Sequence, residues 1–260
     1  MIIDSGKGDL VPLGRFDDLR QARAALLNLK DSAIDFERLY RSSTELQNSE
    51  PCAAPSQEHR YSELVKRHQQ WLLEFKTLLE RPSMKYRSAE KSRAIDRLLF
   101  LYKIAAIQIS SALRTDEVSF DTYVDEFEEA IALAESTIPK TSESIYSRGF
   151  ASISFTKEFI AALYYTACKC RNPSIRRRAL AILESSPREE MFGSPRFVTA
   201  IGNMIIKLEE EGLEEIKDST GLVVPSEWAR VTDIIAEPFG AYITLRQADN
   251  KDTKFNVAEV

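Results

Sequence analysis

The side chains best equipped for chemistry crowd into one stretch, Thr166 to Ala179, which reads TACKCRNPSIRRRA. Two thiols, Cys168 and Cys170, invite a metal or redox site. Five cations, Lys169, Arg171, Arg176, Arg177 and Arg178, invite an anion or nucleic-acid grip. No acidic residue balances them between Phe159 and Leu183, although the 260-residue chain carries a formal net charge of −5.

Helix geometry removes the metal. Residues two apart on a helix point about 200° apart, so Cys168 and Cys170 cannot share a tetrahedral ion. Cys52 lies in a polar loop, and the only histidines are His59 and His68. No four ligands stand at zinc spacing, and no metal or cofactor is expected. Cys168 reads as a core thiol and Cys170 as a helix-end residue. The chain also lacks a Gly-x-Ser-x-Gly elbow, a glycine-rich phosphate loop and a His-Glu-x-x-His pair.

A ligand pocket is the remaining chemical option. His68 stands on an apolar helical stripe one turn before Trp71 and Leu72, where a hydrogen-bonded core histidine competes with a general base. Glu158, Tyr164 and Tyr165 share an apolar helix. With His68 and Trp71 they make a candidate pocket set, although aromatics at this spacing also build plain core.

The cations need a different account. Lys169 and Arg171 sit at a helix carboxyl end, where positive charge suits the dipole, and Asn172-Pro173 supplies an N-cap and first residue for the next helix. Arg176 to Arg178 then crowd the amino-terminal turns of that helix, a penalty of roughly a few tenths of a kcal/mol each. Either neighbouring carboxylates, such as Glu128-Glu129 and Glu209-Glu210-Glu211, or an external anion must offset it. The acidic chain favours the former, an ion-pair cluster built on Arg171, Arg176, Arg177 and Arg178.

The elements that position these residues are helices. Apolar residues recur at spacings of three and four from Leu19 to Tyr40 and from Tyr61 to Glu80, on either side of a polar loop from Ser43 to Ser56. Further helices are expected over Ser88–Leu113, Ser119–Thr137, Phe155–Cys170, Ser174–Ser185 and Pro195–Glu211. The last part alternates, with Trp228 to Ile235 and Ala241 to Arg246 flanking Glu237-Pro-Phe-Gly, which predicts a hairpin over about 227–248. A polar tail from Asp249 to Val260 reads as frayed.

The fold class is therefore all-α, antiparallel helical hairpins in a solenoid-like bundle, with a small C-terminal β-hairpin. One helical domain over residues 1–248 is expected. Only 9 glycines and 10 prolines agree with long helices. Three cysteines suit a reducing compartment, the amino terminus lacks a secretory h-region, and the apolar runs are too short to span a bilayer. Nucleus or cytoplasm is the expected location.

One resemblance stands out. Cys168 to Ala179, followed by Ser186-Pro187-Arg188-Glu189, resembles a block of fungal six-cysteine binuclear-zinc-cluster transcription factors. There the block commonly reads Thr-Lys-Cys-Arg-Asp-Pro, a variable residue, Ile-Arg-Arg, and later Pro-Arg-Arg-Glu-Gly-x-Trp-Asp. Similar segments keep the family's order from Phe16 to Leu245: FDDLRQARAALL from Phe16, the turns around Trp71, Phe120 to Ala134, and Val224 to Val231. This chain departs at Pro187 to Ser194, at Ile160-Ala161-Ala162, where the family's usual proline is missing, and in lacking the six-cysteine cluster.

The resemblance implies a regulatory, interaction-type domain of secondary-metabolism type; the missing cluster leads us to expect no direct DNA binding, and the short apolar runs no membrane contact. Its implied partners are another protein, a second copy of the chain, or a small apolar ligand. The alternative is a biosynthetic enzyme of cyclase or isomerase type, recruited from the same scaffold, with an apolar pocket between helices.

Overall fold

The computed structural model describes residues 14–47, 55–86, 88–114, 116–138, 157–185, 195–211, 229–236 and 242–256. The described residues are mostly helical, with a small antiparallel sheet near the carboxyl end. They fall into two compact units, Met1–Ser88 and Ala89–Val260, where the sequence was read as one helical domain.

The first unit is a helical hairpin. Helices α1 (Leu19–Gln47) and α2 (Pro55–Glu80) run antiparallel, because Trp71 meets Ala22 while Tyr61 meets Phe36. A short α3 (Pro82–Lys85) restarts after Arg81, with Pro82 in the first-turn position where a missing N–H costs nothing. Asp18 opens α1 by accepting from the backbone N–H of Gln21, from the Arg20 guanidinium and from the Arg20 N–H, which together hold its carboxyl below the ordinary range.

Both helices outrun their expected ends and narrow the loop read from Ser43 to Ser56. Glu37 pairs with Arg41 one turn on, and the Ser42 hydroxyl donates to the Arg38 carbonyl, so polar residues extend α1 instead of breaking it.

Among the described residues, the second unit packs five α-helices and the sheet. Helices α4 (Ala89–Ser111) and α5 (Val124–Ser136) are antiparallel, with Lys103 opposite Glu129 and Asp96 opposite Ser136. Before α5 comes a 3₁₀ turn, Glu117–Tyr123. Asp116 caps it by accepting from the Ser119 N–H at 2.7 Å, so the start expected at Ser119 lies three residues earlier.

Helix α6 (Lys157–Lys169) follows, then α7 (Pro173–Glu184) and α8 (Pro195–Glu210). Helices α7 and α8 are antiparallel, since Arg176 faces Glu209 and Leu180 faces Gly202.

The expected hairpin is present as β1 (Val231–Ala236) and β2 (Tyr242–Gln247), with a register irregularity between Val231 and Asp233. The tail expected to fray from Asp249 instead supplies a third strand, β3 (Asp252–Asn256), in the order β1-β2-β3. Asn250 makes the turn at φ 64°, a left-handed conformation that asparagine tolerates. Arg246 grips Asp252 with two hydrogen bonds, and Phe255 packs beside the cluster of Ile201, Ile205, Leu208, Val231, Ile243 and Leu245.

A Cβ at Gly202 would lie 2.7 Å from Leu180 Cδ2. Gly202→Ala gains about 1 kcal/mol of helix propensity, while overpacking costs about 1–3 kcal/mol. We expect a net loss in urea denaturation, and the same substitution to become stabilising in a Leu180→Ala background.

Candidate functional site

The Arg-rich stretch forms the joint between α6 and α7. Asn172 Oδ1 accepts from the Ser174 and Ile175 N–H groups, and Pro173 fills the first helical position, the capping its sequence anticipates. Beyond that joint, each of the five cations meets a carboxylate from another element.

Arg176 is fully buried, and its Nη1 lies 2.6 Å from Oε2 of Glu209, also fully buried. Its Nε donates to the Ala167 carbonyl at 3.0 Å, tying α7 back onto α6. Arg177 pairs with Glu210 and donates to the Pro173 carbonyl. Arg178 reaches α5, holding Glu128 at 2.6 Å and Glu135 at 2.7 Å. Arg171 pairs with Asp121, and Lys169 with Glu117 at 2.6 Å on the 3₁₀ turn.

A member not expected from the sequence completes the cluster. Arg230, at 1% exposure, donates from Nη2 to the Lys169 carbonyl at 2.9 Å and the Cys168 carbonyl at 3.3 Å. These are the end carbonyls of α6, so Arg230 acts as its C-terminal cap. The same guanidinium lies 3.7 Å from Glu117 and 3.9 Å from Glu209. Glu209 Oε1 also accepts from the Val231 N–H at 2.8 Å, which anchors β1 to α8. The only sequence signal for Arg230 was an arginine beside an apolar strand, within the segment Val224 to Val231.

The thiols are inert neighbours of this network. Burial pushes Cys168 and Cys170 each up to about 11, against partial offsets from a Tyr164 hydrogen bond at Cys168 and an Asn172 backbone hydrogen bond at Cys170. Burial likewise raises Tyr164. Among the described residues, no group of three or more His, Cys, Asp or Glu side chains could hold a metal ion.

The candidate pocket residues are divided between the two units. His68 and Trp71 belong to the first, Glu158, Tyr164 and Tyr165 to the second. Trp71 is fully buried, stacks on Phe75 at 4.7 Å and donates its indole N–H to the Ala22 carbonyl at 2.8 Å. His68 is buried in the same unit. Tyr164 packs on the cluster between α8 and the sheet, whereas Tyr165 meets Phe120 edge-on at 6.1 Å. These adjacent tyrosines thus serve different neighbours. Glu158 lies half-buried in the first turn of α6.

No family model matches the chain, and neither do any curated proteins or solved structures. Among the described residues no helix is long and apolar enough to cross a membrane.

Burial sets the energetic rank of the pairs. Removing one partner of an enclosed pair strands the other charge, so Arg176→Met should cost about 3–5 kcal/mol. Arg178→Met, at a partly exposed pair, should cost about 1 kcal/mol. Its Glu135 partner is held below its ordinary 4.5 by the Arg178 hydrogen bond. That stabilisation is complete above pH 4.5 and lost as pH falls through the depressed value. Urea curves should show the Arg178→Met deficit closing on acidification below pH 4.5. Separately, thiol pKa values near 11, against an ordinary 9.0, cut the thiolate fraction about 100-fold at neutral pH. Alkylation of Cys168 and Cys170, followed by peptide mass spectrometry, should be slower in folded than in urea-unfolded protein by about ten-fold or more, since the more basic thiolate is also the better nucleophile.

Proposed function

We propose that this chain is a regulatory, interaction-type domain like those that accompany the zinc cluster of fungal transcription factors of secondary-metabolism type. In this reading it acts through protein contacts, with the nucleus as its natural compartment. One observation carries the reading: each cation of the Arg-rich block is spent on an internal carboxylate, from Glu117 and Asp121 to Glu128, Glu135, Glu209 and Glu210.

Phosphate binding needs uncompensated Lys and Arg, whose release of counterions drives association. Cations neutralised at home supply little of that force. A block that ties α7 to α5, α6 and α8 suits a scaffold whose outer faces meet partners, and the ordered resemblance from Phe16 to Leu245 agrees with it.

The test tethers the full chain to a heterologous DNA-binding module upstream of a reporter. Altered transcription, together with no mobility shift of duplex DNA by the chain alone at low salt, is expected. An unchanged reporter would overturn the reading, as would a DNA shift abolished by Arg177→Ala/Arg178→Ala. Conversion of a polyketide- or terpenoid-like intermediate by the purified protein would instead establish the enzyme reading.

A further inference from the structure

The stretch Asp121-Thr122-Tyr123-Val124-Asp125-Glu126 places a hydroxyl three and four residues ahead of two carboxylates. Thr-x-x-Asp ordinarily marks a capping box, in which the hydroxyl accepts from the first turn of a helix. Here the residue that opens α5 is Tyr123, which offers no side-chain cap. The Thr122 hydroxyl instead donates to the Ser119 carbonyl at 2.8 Å. The pattern does not serve the helix.

Its groups also stand open. Thr122, Asp125 and Glu126 are exposed. Glu128 and Glu129 further along α5 are held by Arg178 and Lys103, whereas Asp125 and Glu126 have no ion-pair partner among the described residues. The same spacing recurs at Ser32–Asp35 and Thr77–Glu80. Those hydroxyls donate to the Asn28 and Leu73 carbonyls within the unbroken turns of α1 and α2. Thr122 sits on the 3₁₀ turn, where hydrogen bonds are poorer and local opening is easier.

We propose that Thr122 is a phosphorylation site for an acidophilic serine/threonine kinase, one whose basic cleft reads the carboxylates of Asp125 and Glu126. Charge complementarity gives such a cleft its choice of substrate. The γ-phosphoryl group of ATP passes to Oγ1 of Thr122. A P–O bond to the threonine forms as the bond to the β-phosphate's bridging oxygen breaks; ADP leaves, and the hydroxyl proton goes to the kinase's catalytic carboxylate. The fold accommodates the product, because the hydroxyl gives up one hydrogen bond and the new charge stands before the positive end of α5. The site is independent of the regulatory role proposed above.

Incubating the folded full chain with a purified acidophilic kinase, Mg²⁺ and ATP, followed by peptide mass spectrometry, tests this. Phosphate on Thr122 is expected, with Ser32 and Thr77 unmodified. Absence of phosphate from Thr122 overturns the proposal. So does phosphate on a synthetic peptide from Asp116 to Ala130 but not on the folded chain, since the site would then be closed in the fold. Asp125→Asn/Glu126→Gln keeps the side-chain shapes and should slow incorporation about ten-fold or more. An unchanged rate in that variant equally overturns it.

Discussion

Burying the Arg176–Glu209 pair is the constraint on which the second unit depends. Taking two full charges out of water costs several kcal/mol per ion, and the pair recovers this only with supporting hydrogen bonds. Those supports come from every side: the Ala167 carbonyl on α6 for Arg176, and the Val231 N–H on β1 for Glu209. The helices and the sheet are thereby held to one mutual arrangement. Apolar packing of Ile201, Ile205, Leu208 and Leu245 supplies much of the driving force there, but many packings of such residues have similar energies. A buried charge tolerates few.

The same constraint explains how an arginine run can stand at the wrong end of a helix. The dipole penalty on α7 is small beside the interactions it is exchanged for. Arg177 and Arg178 reach outward to α8 and α5, and Arg176 reaches inward. Three consecutive residues fan about 100° apart around the helix, so one short run braces α7 against three directions. An acidic protein can thus hold a strongly basic block whose charge is largely consumed within it.

The helices were legible in the sequence because amphipathic spacing is a local signal. Leu26, Leu29, Ala33 and Phe36 are buried at the positions their periodicity assigns, and the Asn172-Pro173 joint is capped as its residue types require. What was not legible depended on long-range pairing. Asp249 onward looked like a polar tail because, among its described residues, only Phe255 packs on the core cluster, while the strand is secured by Arg246–Asp252 and by a turn at Asn250. Arg230 was invisible for the same reason, since its meaning lies in carbonyls 61 and 62 residues away. Helical spacing alone does not tell which neighbour an aromatic meets, so the division of the pocket set was not legible. His68 and Trp71 ended in one unit and the tyrosines in another.

The distance spanned by Arg230 has a consequence for the order in which the chain matures during synthesis. Helix α8 is complete at Glu210, before Arg230 and Val231 have been made, so Glu209 first exists without two of its later neighbours. Until the last strands arrive, that carboxylate is better left in water than enclosed, and α8 has reason to stay loosely seated. Arrival of β1 supplies the missing N–H and guanidinium and removes that reason. The carboxyl-terminal strands therefore bring two of the groups that offset the burial of Glu209, beside the Arg176 made earlier.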